Sequence, residues 1–315
     1  MHQENNSTVT EFFLLGFQNL HIFRVPFFIF VLLVYTMTIT GNLFIVLLVS
    51  NTHTLNSPMY FFLCHLSISD ALLSTNTVPA MLYIILEEGA MITVFGCITQ
   101  FQIFGCCCTT ECYILTVMSY DRYLAICKPL HYFSIMNIKL CLLLIVLSWF
   151  LGFHFSLITR IFISKLQFCD RFVIDHFFCD FSPIIALSCS DTSVVEMEAL
   201  LVAVFIVLLP FMFVVISYVY IFFTILGISS TTGRNKTFST CSSHLIVVCV
   251  FYGSLLSIYL SPSKGHSLNI NKFTSLFYTL VTPLLNPVIY SLRNQEIRKA
   301  FILVMEVWFS DHFNR

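Results

Sequence analysis

Ile92–Tyr120 reads ITVFGCITQFQIFGCCCTTECYILTVMSY, and Asp121, Arg122 and Tyr123 follow it directly. The stretch holds 29 residues and a single charge, Glu111. Roughly 20 mainly apolar residues suffice for a helix to cross a bilayer's hydrocarbon, so the segment predicts a membrane span. Within it Cys97, Phe101, Phe104, Cys108, Glu111, Leu115, Met118 and Arg122 recur at alternating steps of four and three. That spacing puts them on one helical stripe, with Glu111 midway between an outer section and Arg122 at the inner end. An ionisable group inside a membrane must be partnered, hydrated or neutralised, which marks Glu111 as a functional residue.

Six further stretches have the same character: Val25–Val49, Met59–Leu86, Leu140–Thr159, Ala199–Ile228, Phe238–Leu260 and Phe273–Leu292. Only Met59–Leu86 carries a charge, Asp70. The expected fold is therefore an all-α membrane protein, a bundle of seven transmembrane helices, several of them long enough to tilt or extend beyond the bilayer. Composition agrees. Of 315 residues, 58% are hydrophobic and 10% charged, with a mean hydropathy of +0.90. A soluble chain is usually about 25% charged, so polar surface is too scarce to coat a particle in water and lipid must be the solvent. A net charge of −1 argues against a nucleic-acid partner.

Lysine and arginine set the orientation. One set of loops holds Arg122, Lys128, Lys139, Arg234, Lys236, Arg293, Arg298, Lys299 and Arg315, while the other is rich in Asp and Glu. The basic set is assigned to the cytoplasm and the amino terminus to the outside. Asn5-Asn6-Ser7 and Asn6-Ser7-Thr8 are glycosylation sequons on that outer side. Residues 1–24 lack the pattern of a cleavable signal peptide, so the first apolar run is expected to act as its own membrane signal. After the seventh run, Ile297, Ala300, Phe301, Val304, Met305 and Trp308 repeat at helical spacing among charges. They predict a short amphipathic eighth helix on the inner surface. The chain then divides into an outer terminus (1–24), a seven-helix domain (25–292) and a cytoplasmic helix and tail (293–315).

Of 13 cysteines, Cys64, Cys106, Cys107, Cys108, Cys112, Cys141 and Cys249 lie in apolar runs, where sulfur packs as a small hydrophobe. Cys97, Cys169, Cys179 and Cys189 lie in polar segments on the oxidising outer side. Pro210, Pro283 and Pro287 fall inside spans, where each frees a backbone carbonyl. Asn286 is placed to satisfy the one freed by Pro287. Asp70 and Glu111 are the two acids within the hydrocarbon; a cation between them or a shared proton would relieve their repulsion. Arg122, always charged, must pair at the bundle's mouth, and Asp121 is its neighbour.

These residues, with MSYDRYLAIC at 118–127, KTFSTCSSHL at 236–245 and PLLNPVIYSLRN at 283–294, resemble the vertebrate olfactory receptors of the rhodopsin-like (class A) G-protein-coupled class. Gly41-Asn42, Ser57-Pro58-Met59-Tyr60 and Leu66-Ser67 belong to the same resemblance, which spans nearly the whole chain. Phe238-Ser239 is similar to the tetrapod-type branch, and Phe251-Tyr252-Gly253 stands where most related receptors have a tryptophan switch. The resemblance implies an odorant receptor of the plasma membrane, not an enzyme, that binds a small, neutral, mostly apolar volatile and raises cAMP through a stimulatory G protein. A receptor of the same type sensing chemicals outside the olfactory epithelium is the alternative.

Residue by residue, the resemblance implies a Cys97–Cys179 disulfide and a second one between Cys169 and Cys189, with Cys97–Cys189 as the rival pairing. It assigns Asp70, Glu111 and Asn286 to a sodium-binding cluster, and Asp121, Arg122, Tyr123, Tyr218, Asn286, Pro287 and Tyr290 to activation. The ligand set is Phe104, Gly105, Cys108 and Thr109 on span three, then Val202, Ala203 and Ile206 on span five. Tyr252, Leu255, Leu256 and Tyr259 on span six and Leu276 and Thr279 on span seven complete it. His176-Phe177-Phe178-Cys179-Asp180 is similar to a proposed copper or zinc motif, which a disulfide at Cys179 would preclude. An intramembrane enzyme would need catalytic motifs that do not accompany Asp70 and Glu111, and a transporter would show internal repeats.

Overall fold

The computed structural model describes residues 9–18, 20–52, 55–169, 172–260, 268–293 and 296–302. Seven long helices form a bundle. They are α1 (Arg24–Asn51), α2 (Pro58–Glu87), α3 (Val94–Cys127), α4 (Ile138–Ile163), α5 (Ser193–Leu226), α6 (Thr231–Leu260) and α7. The last runs as Leu268–Leu276, a π-helical turn Phe277–Val281, and Thr282–Arg293. The ends follow local chemistry. Thr93 caps α3 by accepting from the Gly96 N–H at 3.0 Å, and Asn137 caps α4 by accepting from Leu140 N–H at 3.0 Å. Proline opens α2 at Pro58, where its missing N–H costs nothing.

Besides the large apolar side chains of its core, the bundle buries small and polar residues, and α4 and α5 carry many large apolar side chains on their outward faces. On α5, Leu201, Phe205, Leu208, Met212 and Phe223 are exposed, whereas Ser217 is buried. On α4, Leu143, Val146 and Phe150 face out while Ser148, Gly152 and Ser156 face in. An outward apolar belt is what a lipid solvent requires, and small inward residues let helices approach closely. Gly152 is the tightest case. A Cβ there would sit 2.3 Å from Thr110 Oγ1 and 2.7 Å from the Cys106 carbonyl. Helix α3 is central, packing against α2, α4, α5 and α6.

Prolines act as expected in kind, with one difference in detail. In α5 a π-helical turn, Val204–Leu208, precedes Pro210. Below Pro287, the Pro283 carbonyl accepts from Asn42 Nδ2 of α1 at 3.1 Å. Asn286, expected to do this, points away to Asp70. The Asp70 carboxylate takes the Asn286 amide, so a neighbouring helix supplies the donor to the freed carbonyl. Pro79 is a further proline interior to a span, in α2, beyond the three named from the sequence.

A small sheet adds to the expected all-helical picture. Strands β1 (Glu11–Leu14), β2 (Ala90–Thr93) and β3 (Val173–Ile174) pair in the order β2-β1-β3, antiparallel and parallel respectively. The alternation in β1 turns Phe12 and Leu14 into a fully buried position. At Gly16 φ is +63° and a Cβ would lie 2.2 Å from Ile84 Cγ2, so only glycine fits. Beyond α7, residues 296–302 are helical, with Ile297 and Ala300 buried and Phe301 edge-on to Phe44. Val304, Met305 and Trp308 of the expected amphipathic helix lie outside the described residues.

Candidate functional site

At the outer end, Cys97 at the start of α3 is bonded to Cys179, and Cys169 to Cys189. The rival Cys97–Cys189 pairing is thereby ruled out, and Cys179 is not a thiolate available to a metal. The loop is further fastened by hydrogen bonds. Gln100 Oε1 accepts from the Cys179 N–H at 3.0 Å. Lys272 of α7, itself buried, pairs with Asp175 and donates to the Gly16 carbonyl at 2.8 Å. His176 places Nε2 3.1 Å from Ser275 Oγ and Nδ1 3.1 Å from the Phe178 carbonyl. Burial, then the Lys272 charge, pushes the His176 pKa down to about 3, so the ring is neutral. One lid thus joins the amino-terminal strand, the long outer loop and α7.

Beneath the lid the expected ligand residues fall into two groups. Phe104 packs on Phe178 and Tyr278 with ring centroids 5.3 Å apart in each case, and Cys108 and Leu276 pack into the same cluster. Tyr278 donates its hydroxyl to Asp180 Oδ2 at 3.2 Å; burial raises the Asp180 pKa. Ile206, Tyr252 and Leu255 belong instead to the larger central core, where the Tyr252 hydroxyl donates to the Cys112 carbonyl at 3.3 Å. Thr109 is buried, as is Thr279, whose hydroxyl donates to Ser275 O at 2.7 Å. Val202 and Ala203 are half-buried immediately above the π-helical turn. Gly105 faces α4, where a Cβ would touch Ser156 Cβ at 3.4 Å. Leu256 and Tyr252 reach a cavity of about 630 Å³ between α5 and α6, which also touches Tyr218. Tyr259, like Asn5 and Asn6, lies outside the residues whose side chains are described.

Midway down, Asn286 Nδ2 donates to both Asp70 oxygens, at 3.1 and 2.8 Å. Asp70, Glu111 and Asn286 are all buried. Among the described residues Glu111 Oε1, Asn42 Oδ1 and Ser74 Oγ are buried side-chain oxygens without a hydrogen-bond partner. Oxygen donors of this kind suit a hard monovalent cation or a shared proton. The residues fit either occupant.

At the inner end, Arg122 donates two N–H groups to Asp121 Oδ2, and Tyr132 donates its hydroxyl to Asp121 Oδ1 at 2.7 Å. Burial and the Asp121 carboxylate together raise the Tyr132 pKa, so the phenol stays protonated. Tyr218 lies 2.6 Å from His244 Nδ1 and stacks on that ring at 5.8 Å. Tyr290 is fully buried with its hydroxyl unpartnered among the described residues. Tyr123 packs against Tyr120 and Tyr220. Pro287 is buried in α7, where its ring would meet a Cβ on Gly41 at 3.2 Å. Sequence reasoning missed Tyr132, His244 and Tyr278, and it placed Asp180 only in the metal-like motif, not as the acceptor of the Tyr278 hydroxyl. A histidine inside an apolar run was the one signal available, at His244.

The chain resembles known proteins in sequence and in fold. A family model described as "Olfactory receptor" matches residues 31–307. Human Olfactory receptor 11L1 is 46% identical over 305 residues, covering 97% of this chain and 95% of that relative. Mouse Olfactory receptor 5P68 is 44% identical, covering 95% of this chain and 96% of that one. The crystal structure of squid rhodopsin superposes with a TM-score of 0.73 at 16% identity, covering 90% of this chain and 86% of that one. At that identity the likeness concerns the fold.

Proposed function

The chain belongs to the olfactory receptor family of rhodopsin-like G-protein-coupled receptors, and from that premise we propose that it binds a small, mostly apolar volatile beneath the outer lid and activates a stimulatory G protein to raise cAMP. It is a multi-pass plasma-membrane protein of a non-enzymatic family. The observation that carries the reading is one continuous buried stripe on α3. Phe104 lies under the lid, Glu111 is in the middle, and the Asp121–Arg122 pair sits at the other end. A ligand wedged against Phe104 and Tyr278 can bias the helix that carries Arg122 near its inner end, and the proline- and π-interrupted α5 and α7 supply the compliance.

In this reading the amino terminus and its sequons Asn5 and Asn6 face outward, and residues 293–315 lie along the cytoplasmic lipid surface. Asp70 and Glu111 hold a sodium ion or a proton that favours the resting bundle, with Asn286 orienting Asp70. Asp121, Arg122, Tyr123, Tyr218, Asn286, Pro287 and Tyr290 form the relay toward the G protein. The test is a cAMP reporter screen of a diverse volatile panel in cells supplying the olfactory-type stimulatory G protein, with Arg122→Ala alongside. At least one volatile should raise cAMP in the wild type and none in a surface-displayed Arg122→Ala receptor. A displayed wild-type receptor silent to the whole panel, or an Arg122→Ala receptor with normal responses, would sink the reading.

A further inference from the structure

Glu198 sits on the outer part of α5, and it is 9% exposed. Thr159 of α4 donates its hydroxyl to Glu198 Oε1 at 3.0 Å. The other oxygen, Oε2, is buried and has no partner among the described residues. No cation is within ion-pair distance of it among those residues either. Arg160, the residue after Thr159 on α4, is committed elsewhere. Its guanidinium donates to Gln102 and covers the Phe95 ring at 5.3 Å. An acid kept only for structure would have both oxygens paired, because a bare buried carboxylate oxygen forfeits its hydration for nothing. Glu198 stands one helical turn above Val202, on the same face of α5, and Val202 belongs to the expected ligand set.

We propose that Glu198 is the polar anchor of the ligand site, and that agonists carry a hydrogen-bond-donating head, an amine first and an alcohol second, on an apolar body. A carboxylate only accepts hydrogen bonds. An ether, ketone or ester therefore brings nothing to Oε2, an alcohol brings one donor, and an amine brings a donor and the missing positive charge. An amine also travels in air as a neutral, volatile free base, takes a proton from the water layer over the receptor, and binds as the ammonium. Phe104, Phe178 and Tyr278 would receive the apolar body. This departs from the neutral ligand expected of a ligand set without formal charge, because that set leaves out Glu198, and it rests on the receptor reading above.

The experiment uses the full-length receptor in the same reporter cells, with surface display measured by flow cytometry. Its probes are four compounds of one carbon skeleton: primary amine, alcohol, methyl ether and ketone. In the wild type the amine and alcohol should be about tenfold or more potent than the ether and ketone, the effect of one charge-assisted hydrogen bond. Glu198→Gln, nearly the same size, should erase the amine's advantage while leaving the alcohol within a few-fold and the ether and ketone no weaker, since the new amide N–H can donate to them. Glu198→Asp should preserve the rank order at lower potency, which guards against a folding artefact. Asp180→Asn, the nearest rival acid under the lid, should keep the amine preference. Equal shifts for all four heads, no shift at all, or loss of amine preference in Asp180→Asn instead would overturn the proposal. So would a receptor that answers other volatiles but no amine or alcohol. Silence to every volatile would overturn the receptor reading itself.

Discussion

Replacing Tyr132 by Phe removes one oxygen and nothing else from the inner mouth of the bundle. That hydroxyl donates to Asp121 Oδ1 at 2.7 Å, while Arg122 takes the second Asp121 oxygen with two N–H groups. Asp121 is fully buried, so each donor it loses is felt. A hydrogen bond to a charged acceptor contributes about 1.5–3 kcal/mol. Tyr132 is only half-buried, and water can replace part of its contribution, so the lower figure applies. About 1.5 kcal/mol is roughly a tenfold change in an equilibrium. The bond holds Asp121 in the orientation that pairs with Arg122, so its loss is expected to favour the state in which Arg122 is released. Basal cAMP per displayed receptor should rise several-fold, toward tenfold, with the maximal agonist response preserved because Arg122 is intact. The assay is ligand-free reporter output divided by surface display, across a range of receptor expression. Unchanged or lower basal output at normal display would refute the idea that Tyr132 holds the resting state.

Three further outcomes are expected. Gly152→Ala must push against the Cys106 backbone carbonyl, 2.7 Å from the new Cβ, and should cost about 1–3 kcal/mol. Gly105→Ala meets only Ser156 Cβ at 3.4 Å, so thermal midpoints of the two detergent-solubilised variants should differ clearly; equal midpoints would dismiss the close α3–α4 contact. Cys97→Ser and Cys179→Ser should share one loss of surface display, and the double variant should be no worse, because all three lack the same bond. Additive losses would show separate roles. His176, held near pKa 3 in the folded lid and near 6.5 when released, binds fewer protons folded than unfolded between those values. Lid stability should therefore rise with pH from about 3 to 6.5 and be level above. The hydrogen-exchange protection factors of residues 172–180, with the intrinsic pH dependence of exchange divided out, should fall about tenfold between pH 7.5 and 5.5 in the wild type and much less in His176→Gln; an identical fall would exclude the ring.

Seven apolar runs, their order and the isolation of Asp70, Glu111 and Arg122 were legible in the chain alone. Lipid imposes a length and a charge deficit on every crossing helix, and both are properties of consecutive residues. The α3 stripe was legible for the same reason, since helical periodicity converts spacing into a face. Partners across the bundle were not. Asn42 serving the Pro283 carbonyl, Tyr132 serving Asp121 and Lys272 tying Gly16 to Asp175 join residues 241, 11 and 97 to 256 positions apart. No local pattern encodes such pairings; the relative rotation and depth of neighbouring helices select them. The choice of Cys179 over Cys189 for Cys97 is of that kind, and so is the burial of Phe12 and Leu14 in a lid strand. Glu198 makes the point most sharply. In the sequence it is one acid among several in an outer loop, and only α4 packing over α5 turns it into a buried carboxylate with one oxygen satisfied and one waiting for a donor.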